Sequence, residues 1–196
     1  MTDAVLAWDS GQVKVNRDAV WLELPVLAGP RTFLRAFRSD DVQAVQEASR
    51  DDLIPLITSV PTTEDDDAAL DYISRQHDRL KTRAGYSFAI ADGDDIAVGQ
   101  IGLWLRDEDD GRASIGYWIR PSARRRGYAT EALEILVAWA RTLPQLRRLQ
   151  LYVEPWNEGS WRAAENSGFE REGLLRSWQS VGGEPRDMYM YSLLTQ

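Results

Sequence analysis

The run Arg124-Arg125-Arg126-Gly127-Tyr128-Ala129 sets three guanidinium groups and a glycine between a strand pattern and a helix pattern. Before it, Ala113-Ser114-Ile115-Gly116-Tyr117-Trp118-Ile119 is rich in β-formers and bounded by Pro121. After it, Thr130 to Arg141 carries apolar residues at 132, 133, 136, 137 and 140, which is helical spacing. A strand therefore enters a short loop that opens directly into a helix. The unbonded N–H groups of such a helix start, with the positive end of its dipole, can converge on one anion. Gly127 lets main chain approach a ligand closely, and the arginines add charge suited to phosphate. These residues predict a cradle for a diphosphate.

The elements that must hold this loop follow from the rest of the chain. Arg31 to Phe37 alternates as a strand, and Ser39 is read as the cap of a helix over Asp40–Ser49. A loop with Pro55 and Pro61 leads to Thr63, read as the cap of a helix over Glu64–Arg83. Strands are expected over Tyr86–Ala91, Ile96–Leu105 and 112–119, joined by acidic turns at Asp92–Asp95 and Asp107–Gly111. Neither turn has calcium-loop spacing, so both are read as solvated. Arg147–Glu154 reads as a strand, about 158–167 as a helix ended by Gly168, and about 173–181 and 186–194 as two last strands. Antiparallel strands followed by strand-helix-strand-helix-strand predict an α/β fold with a mixed, mostly antiparallel central sheet and helices on both faces. Residues 1–28 read as an N-terminal extension that could form a hairpin, and 29–196 as the main domain.

Composition narrows the chemistry. A chain of 196 residues suffices for one domain with a substantial core. It contains no cysteine, which excludes disulfides, thiolate metal sites and thiol nucleophiles, and its single histidine, His77, argues against a Ser-His-Asp hydrolase. The carboxylate run Glu64-Asp65-Asp66-Asp67 reads as a complement to a helix dipole rather than as a metal site, and no metal is expected. A net charge of −8 argues against nucleic-acid binding. That charge suits cationic amine or basic protein partners, and equally serves solubility. Neither a signal peptide nor a membrane-spanning run is visible, so a cytoplasmic location is expected.

Several segments together resemble the GNAT superfamily of N-acetyltransferases, and within it the RimJ/RimL branch. They are Leu34-Arg35 with Asp40-Asp41, Ile115-Gly116-Tyr117-Trp118, Arg124-x-x-Gly127-x-Ala129, Ala129-Thr130-Glu131-Ala132-Leu133, Glu154-Pro155-Trp156-Asn157-x-x-Ser160, Ser167-Gly168-Phe169, Glu172-Gly173 and Arg186-Asp187 with Tyr191-Ser192-Leu193-Leu194. They fall in the family's order over about 31 to 194. The resemblance implies acetyl-CoA as co-substrate and direct attack of a primary amine, on a peptide or protein N-terminus or a small molecule. It implies that Arg124, Arg125, Arg126, Gly127, Tyr128, Ala129 and Thr130 hold the diphosphate. Tyr117, Trp118 and Ile119 would present a free strand edge to the pantetheine amides, provided that the strands at 113–119 and 147–153 part. Asn157 matches the family asparagine that meets the pantetheine arm; the plainer alternative is a helix cap.

The resemblance also points to Ser160 as the hydrogen-bond donor to the departing thiolate, because Ala164 stands where many relatives place a tyrosine acid. A serine bonding to backbone at a helix start is the alternative. Carboxylates that relatives use as general base are replaced by Ser114 and Gln179, which leaves Glu47, Glu154, Asp187 or a water chain, with Asp187 expected to brace the last strands. Those absences keep a non-catalytic acyl-CoA-binding sensor as an alternative to an enzyme. Nucleotide binding is disfavoured, since the loop lacks a Walker lysine and hydroxyl. Of eight tryptophans, Trp118 and Trp139 read as core, and Trp104, Trp156, Trp161 and Trp178 as either packing or a wall of the acceptor site. Exposed tryptophan and strand edges are compatible with a homodimer.

Overall fold

A computed structural model describes residues 24–196. Those residues form one sheet of eight strands: β1 (Leu27–Ala28), β2 (Phe33–Arg35), β3 (Gly85–Ala91), β4 (Ala97–Trp104), β5 (Arg112–Ile119), β6 (Arg148–Val153), β7 (Glu170–Val181) and β8 (Glu184–Leu194). The spatial order is β1-β2-β3-β4-β5-β6-β8-β7. Only β5 and β6 run parallel; the other neighbours are antiparallel. The hairpin expected within 1–28 falls mostly outside the described residues, while Leu27 and Ala28 pair with Leu34 and Phe33.

The helices are α1 (Val42–Ser49), α2 (Ile54–Ile57), α3 (Asp66–Lys81), α4 (Tyr128–Ala140) and α5 (Glu158–Asn166). Strand alternation sorts the core into two layers. Phe88, Ile90, Ile101, Leu103 and Leu151 meet Leu133, Leu136 and Val137 of α4 and Ala163 and Ala164 of α5. On the opposite face Ala89, Ala97 and Trp118 meet Val45 and Ala48 of α1 and Tyr72 and Ile73 of α3. The sheet with helices on both faces is the architecture expected from the sequence.

Local details depart from expectation for electrostatic reasons. Ser39 makes no capping bond; a 3-10 turn over Ser39–Asp41 precedes α1, and Asp41 Oδ2 accepts from Arg38 N at 2.8 Å. Asp41 is held there by the buried Arg35, which donates to both its oxygens at 2.8 and 3.0 Å. Arg35 Nε also donates to Asp95 Oδ1 at 2.6 Å, so the Asp92–Asp95 turn is a structural anchor and not merely solvated. The paired arginines hold the Asp95 carboxyl below its ordinary range. Pro55 lies inside the short α2 instead of a loop, because Asp51 Oδ1 accepts from Leu53 N and Ile54 N, each at 3.0 Å. Thr63 accepts from Asp65 N at 3.3 Å, ahead of the true start of α3 at Asp66.

Candidate active site

Parallel pairing between β5 and β6 covers only Arg112–Ile115 against Arg148–Leu151. Beyond it, Gly116–Ile119 stays paired to β4 on one side, and Tyr152–Val153 stays paired to β8 on the other. The two strands therefore part, and each turns an unpaired edge toward a wedge-shaped slot.

The loop that leaves β5 closes the wide end of the slot. Gly127 is the residue before α4 and has φ 84°, while Arg125 has φ 61°. Positive φ at these two positions turns successive amides toward one side, as in an anion nest. The helical ladder starts only with Glu131 N to Gly127 O at 3.1 Å. None of the amides from Arg125 to Thr130 has an acceptor among the described residues. Tyr128, Ala129 and Thr130 form the first turn of α4 and are half-buried.

The arginines divide in role. Arg125 and Arg126 are exposed and have no ion pair among the described residues. Arg124 is already engaged: its Nη2 meets Asp51 Oδ2 at 2.7 Å and its Nε donates to Ile119 O at 3.2 Å. Its charge thus ties the loop to the α1–α2 connection. Arg31 was missed by sequence reasoning. Its guanidinium bonds the buried Glu131 at 2.9 Å, and its Nη2 would lie 3.3 Å from a Cβ on Gly127. No local pattern marks Arg31, which stands 100 residues before its partner.

On the α5 side of the slot, the Tyr117 hydroxyl is 2.8 Å from Ser160 Oγ and donates to Ser160 O at 3.1 Å. Burial pushes the Tyr117 phenol up to about 12, against the smaller opposing effect of the Ser160 bond. The phenol is therefore protonated across ordinary working pH. The Ser160 side chain bonds to Tyr117 and not to the helix backbone. Asn157 caps α5, with Oδ1 accepting from Ser160 N at 3.2 Å, so the cap reading holds for its oxygen. Its Nδ2 has no acceptor among the described residues and remains free to donate.

Trp118 offers only its backbone to the slot; its ring is buried on the α1/α3 face and Nε1 donates to Tyr72 Oη at 3.1 Å. Trp139 packs edge-on to Tyr86 and Phe88. Trp178 stacks on Tyr152 with ring centroids 5.4 Å apart, and Trp156 is exposed. The single histidine is exposed, its Nε2 donating to Phe37 O at 2.8 Å.

The candidate bases separate clearly. Glu47 accepts from Ser122 N at 2.7 Å, Ser122 Oγ at 2.9 Å and Arg120 Nη1 at 3.3 Å, so it is a clamp on the loop. Asp187 accepts from Ser177 N at 2.8 Å and braces the bulge between β7 and β8. Glu154 follows directly on Val153, is buried, and has no side-chain partner among the described residues. No group of three or more His, Cys, Asp or Glu able to hold a metal occurs among the described residues.

The comparisons with known proteins give the family and the overall fold. The family model described as "Acetyltransferase (GNAT) domain" matches residues 31–170. The uncharacterized N-acetyltransferase p20 of Bacillus licheniformis is 30% identical over 165 residues, covering 84% of this chain and 93% of that protein. A GNAT-family acetyltransferase from Bacillus anthracis superposes with a TM-score of 0.74 at 25% identity, over 87% of this chain and 99% of the other. RimJ of Mycobacterium smegmatis, solved in complex with CoA-disulfide, has the same fold, with a TM-score of 0.73 at 24% identity over 87% of this chain and 88% of its own. No helix among the described residues is long and apolar enough to cross a membrane. A split sheet, an open amide cradle and this match over most of the chain place the protein in the GNAT family of acetyltransferases, as an N-acetyltransferase.

Proposed function

We propose that the protein transfers an acetyl group from acetyl-CoA to the primary amine of a small molecule or a peptide N-terminus, both substrates being bound together. The observation that carries this reading is the set of unbonded amides from Arg125 to Thr130 at the head of a slot between parting strands. These residues fit a coenzyme A diphosphate: an added Cβ at Gly127 would crowd Arg31, and Arg125 and Arg126 supply unpaired positive charge. The free edge at Tyr117–Ile119 would pair with the pantetheine amides as an added strand, and Asn157 Nδ2 would donate to the same arm. Acetyl-CoA supplies an activated thioester carbonyl.

The chain's own residues then have distinct tasks. A main-chain N–H on the Gly116–Ile119 edge would polarise the carbonyl oxygen. The amine nitrogen forms its bond to the carbonyl carbon, the carbon–sulfur bond breaks with its electron pair on sulfur, and the proton shed by nitrogen ends on sulfur. Ser160 Oγ, held by Tyr117, would donate to that sulfur as negative charge develops. Glu154 is the carboxylate available to take the amine proton, because Glu47 and Asp187 are committed to structure.

Following acetyl-CoA loss and free-thiol release over a panel of amines tests the reading. Acceptor-dependent thiol release supports it. Tight acetyl-CoA binding without turnover on any amine would reject transfer. A Gly127→Asp variant should lose acetyl-CoA binding in calorimetry while keeping its fold, since a carboxylate there repels the diphosphate.

A further inference from the structure

The face of the sheet that carries α3 holds a second basic site, which the diphosphate cradle does not use. Trp104 ends β4 and lies flat across neighbouring strands. A Cβ on Gly102 would stand 2.2 Å from its Cζ2, and one on Gly116 would stand 3.3 Å from its Nε1. A side chain at Gly102 would displace the indole, and one at Gly116 would press on its edge. Gly116 is also the first residue of β5 beyond its pairing with β6. The indole thus runs to the lip of the slot, and its N–H has no acceptor among the described residues.

Arg79 of α3 covers this ring, with Cζ 4.3 Å from the centroid. Its Nε donates to Gln76 Oε1 at 3.0 Å and its Nη2 to Ser59 Oγ at 3.3 Å. Arg75, one turn earlier on α3, donates from Nη2 to Ser59 O at 3.2 Å. Among the described residues, every acceptor on these two guanidinium groups is neutral. No carboxylate lies within ion-pair distance of either among the described residues, although the chain carries a net charge of −8. The nearby Asp78 is taken by Lys81 at 2.8 Å. Burial pushes the Arg79 guanidinium below its ordinary range, and Arg75 adds to that in the same direction. Two arginines without a carboxylate partner among the described residues, one of them half-buried on an aromatic platform, form a stable arrangement when an anion completes it.

We propose that Arg75, Arg79 and the Trp104 indole N–H form the acceptor-recognition site, and that the acceptor amine carries an oxyanion, a carboxylate or a phosphate. This deepens the acetyl-transfer reading above and rests on it. The cationic partners that the overall charge suggested are disfavoured at this position. The acceptor's anionic group docks on α3 and its amine points along the indole toward Gly116, where the thioester carbonyl would lie.

Matched acceptor pairs test the assignment: leucine against leucinamide, phosphoethanolamine against ethanolamine, and tripeptides Ser-Asp-Ala against Ser-Asn-Ala, each amidated at the C-terminus. The anionic member of at least one pair should have a kcat/KM about ten-fold higher, the size of one charge-assisted contact. Which pair responds separates a free carboxylate, a phosphate and an acidic peptide. In Arg75→Ala, and in Arg79→Ala, that preference should shrink to within about two-fold, while the acetyl-CoA affinity measured by calorimetry stays unchanged. Arg79→Lys retains charge and should keep part of the preference, which separates recognition from loss of packing on Trp104. Equal or better use of the neutral member in every pair overturns the anion site. So does a preference that survives both alanine variants. Failure of every acceptor, anionic or neutral, with acetyl-CoA still bound would instead reject acetyl transfer itself.

Discussion

Two hydroxyls bring two protons to the α5 side of the slot, and the geometry constrains where they go. Tyr117 can donate to Ser160 O or to Ser160 Oγ, and only in the second arrangement is the serine proton released to face sulfur. Ser160→Ala should therefore lower kcat by about 10–100-fold with little change in the KM for acetyl-CoA. Tyr117→Phe should lower kcat by about ten-fold, the worth of one hydrogen bond. In the double variant the tyrosine's effect should vanish, because its route to sulfur runs through Ser160. Independent, additive losses would mean that the two residues act separately. The phenol, pushed up to about 12 by burial, loses its proton only as pH rises through that value. Hence the kcat profiles of wild type and Tyr117→Phe should run parallel from about pH 7 to 10, and a wild-type decline absent from the variant would contradict the assignment.

The cradle depends on elements far from it in the chain. Glu47 on α1 and Asp51 just after it grip Arg120, Ser122 and Arg124, the run that leads from β5 into the loop. Glu47→Ala frees the Ser122 amide and hydroxyl together, so the loop should loosen and the acetyl-CoA Kd rise by about ten-fold with the fold intact. An unchanged Kd by calorimetry would show that the loop holds its shape alone. Asp41→Ala acts differently. It strands a guanidinium whose side chain is 5% exposed among β2, α1 and the β3–β4 turn, at a cost of about 3–5 kcal/mol in urea unfolding. A loss below about 1 kcal/mol would show that Asp95 alone satisfies Arg35. This division explains what the sequence could reveal. The strand, the loop glycine and the amphipathic α4 are adjacent in the chain, so the cradle was legible from local pattern. The parting of β5 from β6 was legible only through family resemblance, since strand pairing is not encoded in either strand alone. Arg124 reads as a phosphate ligand in any local window, because Asp51 becomes its neighbour only through folding. Arg31 with Glu131, Tyr117 with Ser160 and Arg79 with Trp104 are tertiary pairs for the same reason, and no spacing rule could have joined them.

The slot divides the sheet unevenly: β1 to β5 form one block and β6 to β8 the other, joined across the sheet by the short register of Arg112–Ile115 with Arg148–Leu151. The α4 and α5 layer spans the same seam from one side. A pantetheine chain bonded to the Gly116–Ile119 edge, with its diphosphate on the amides that open α4, would stitch the blocks together along a line that protein hydrogen bonds leave open. Acetyl-CoA should therefore stabilise the whole domain, not only the loop. At a concentration of 100 times Kd the linkage amounts to about 2.7 kcal/mol, which for a chain of this length raises Tm by about 5–11 °C. Hydrogen exchange should slow at those amides of Gly116–Ile119 that face the slot and from Arg125 to Thr130, and change little at Ser114 and Ile115, already paired on both sides. In Gly127→Asp both the Tm rise and the added protection should disappear. A Tm rise with protection confined to the loop would mean that the diphosphate binds while the strand edge stays empty, and the added-strand arrangement would then be wrong.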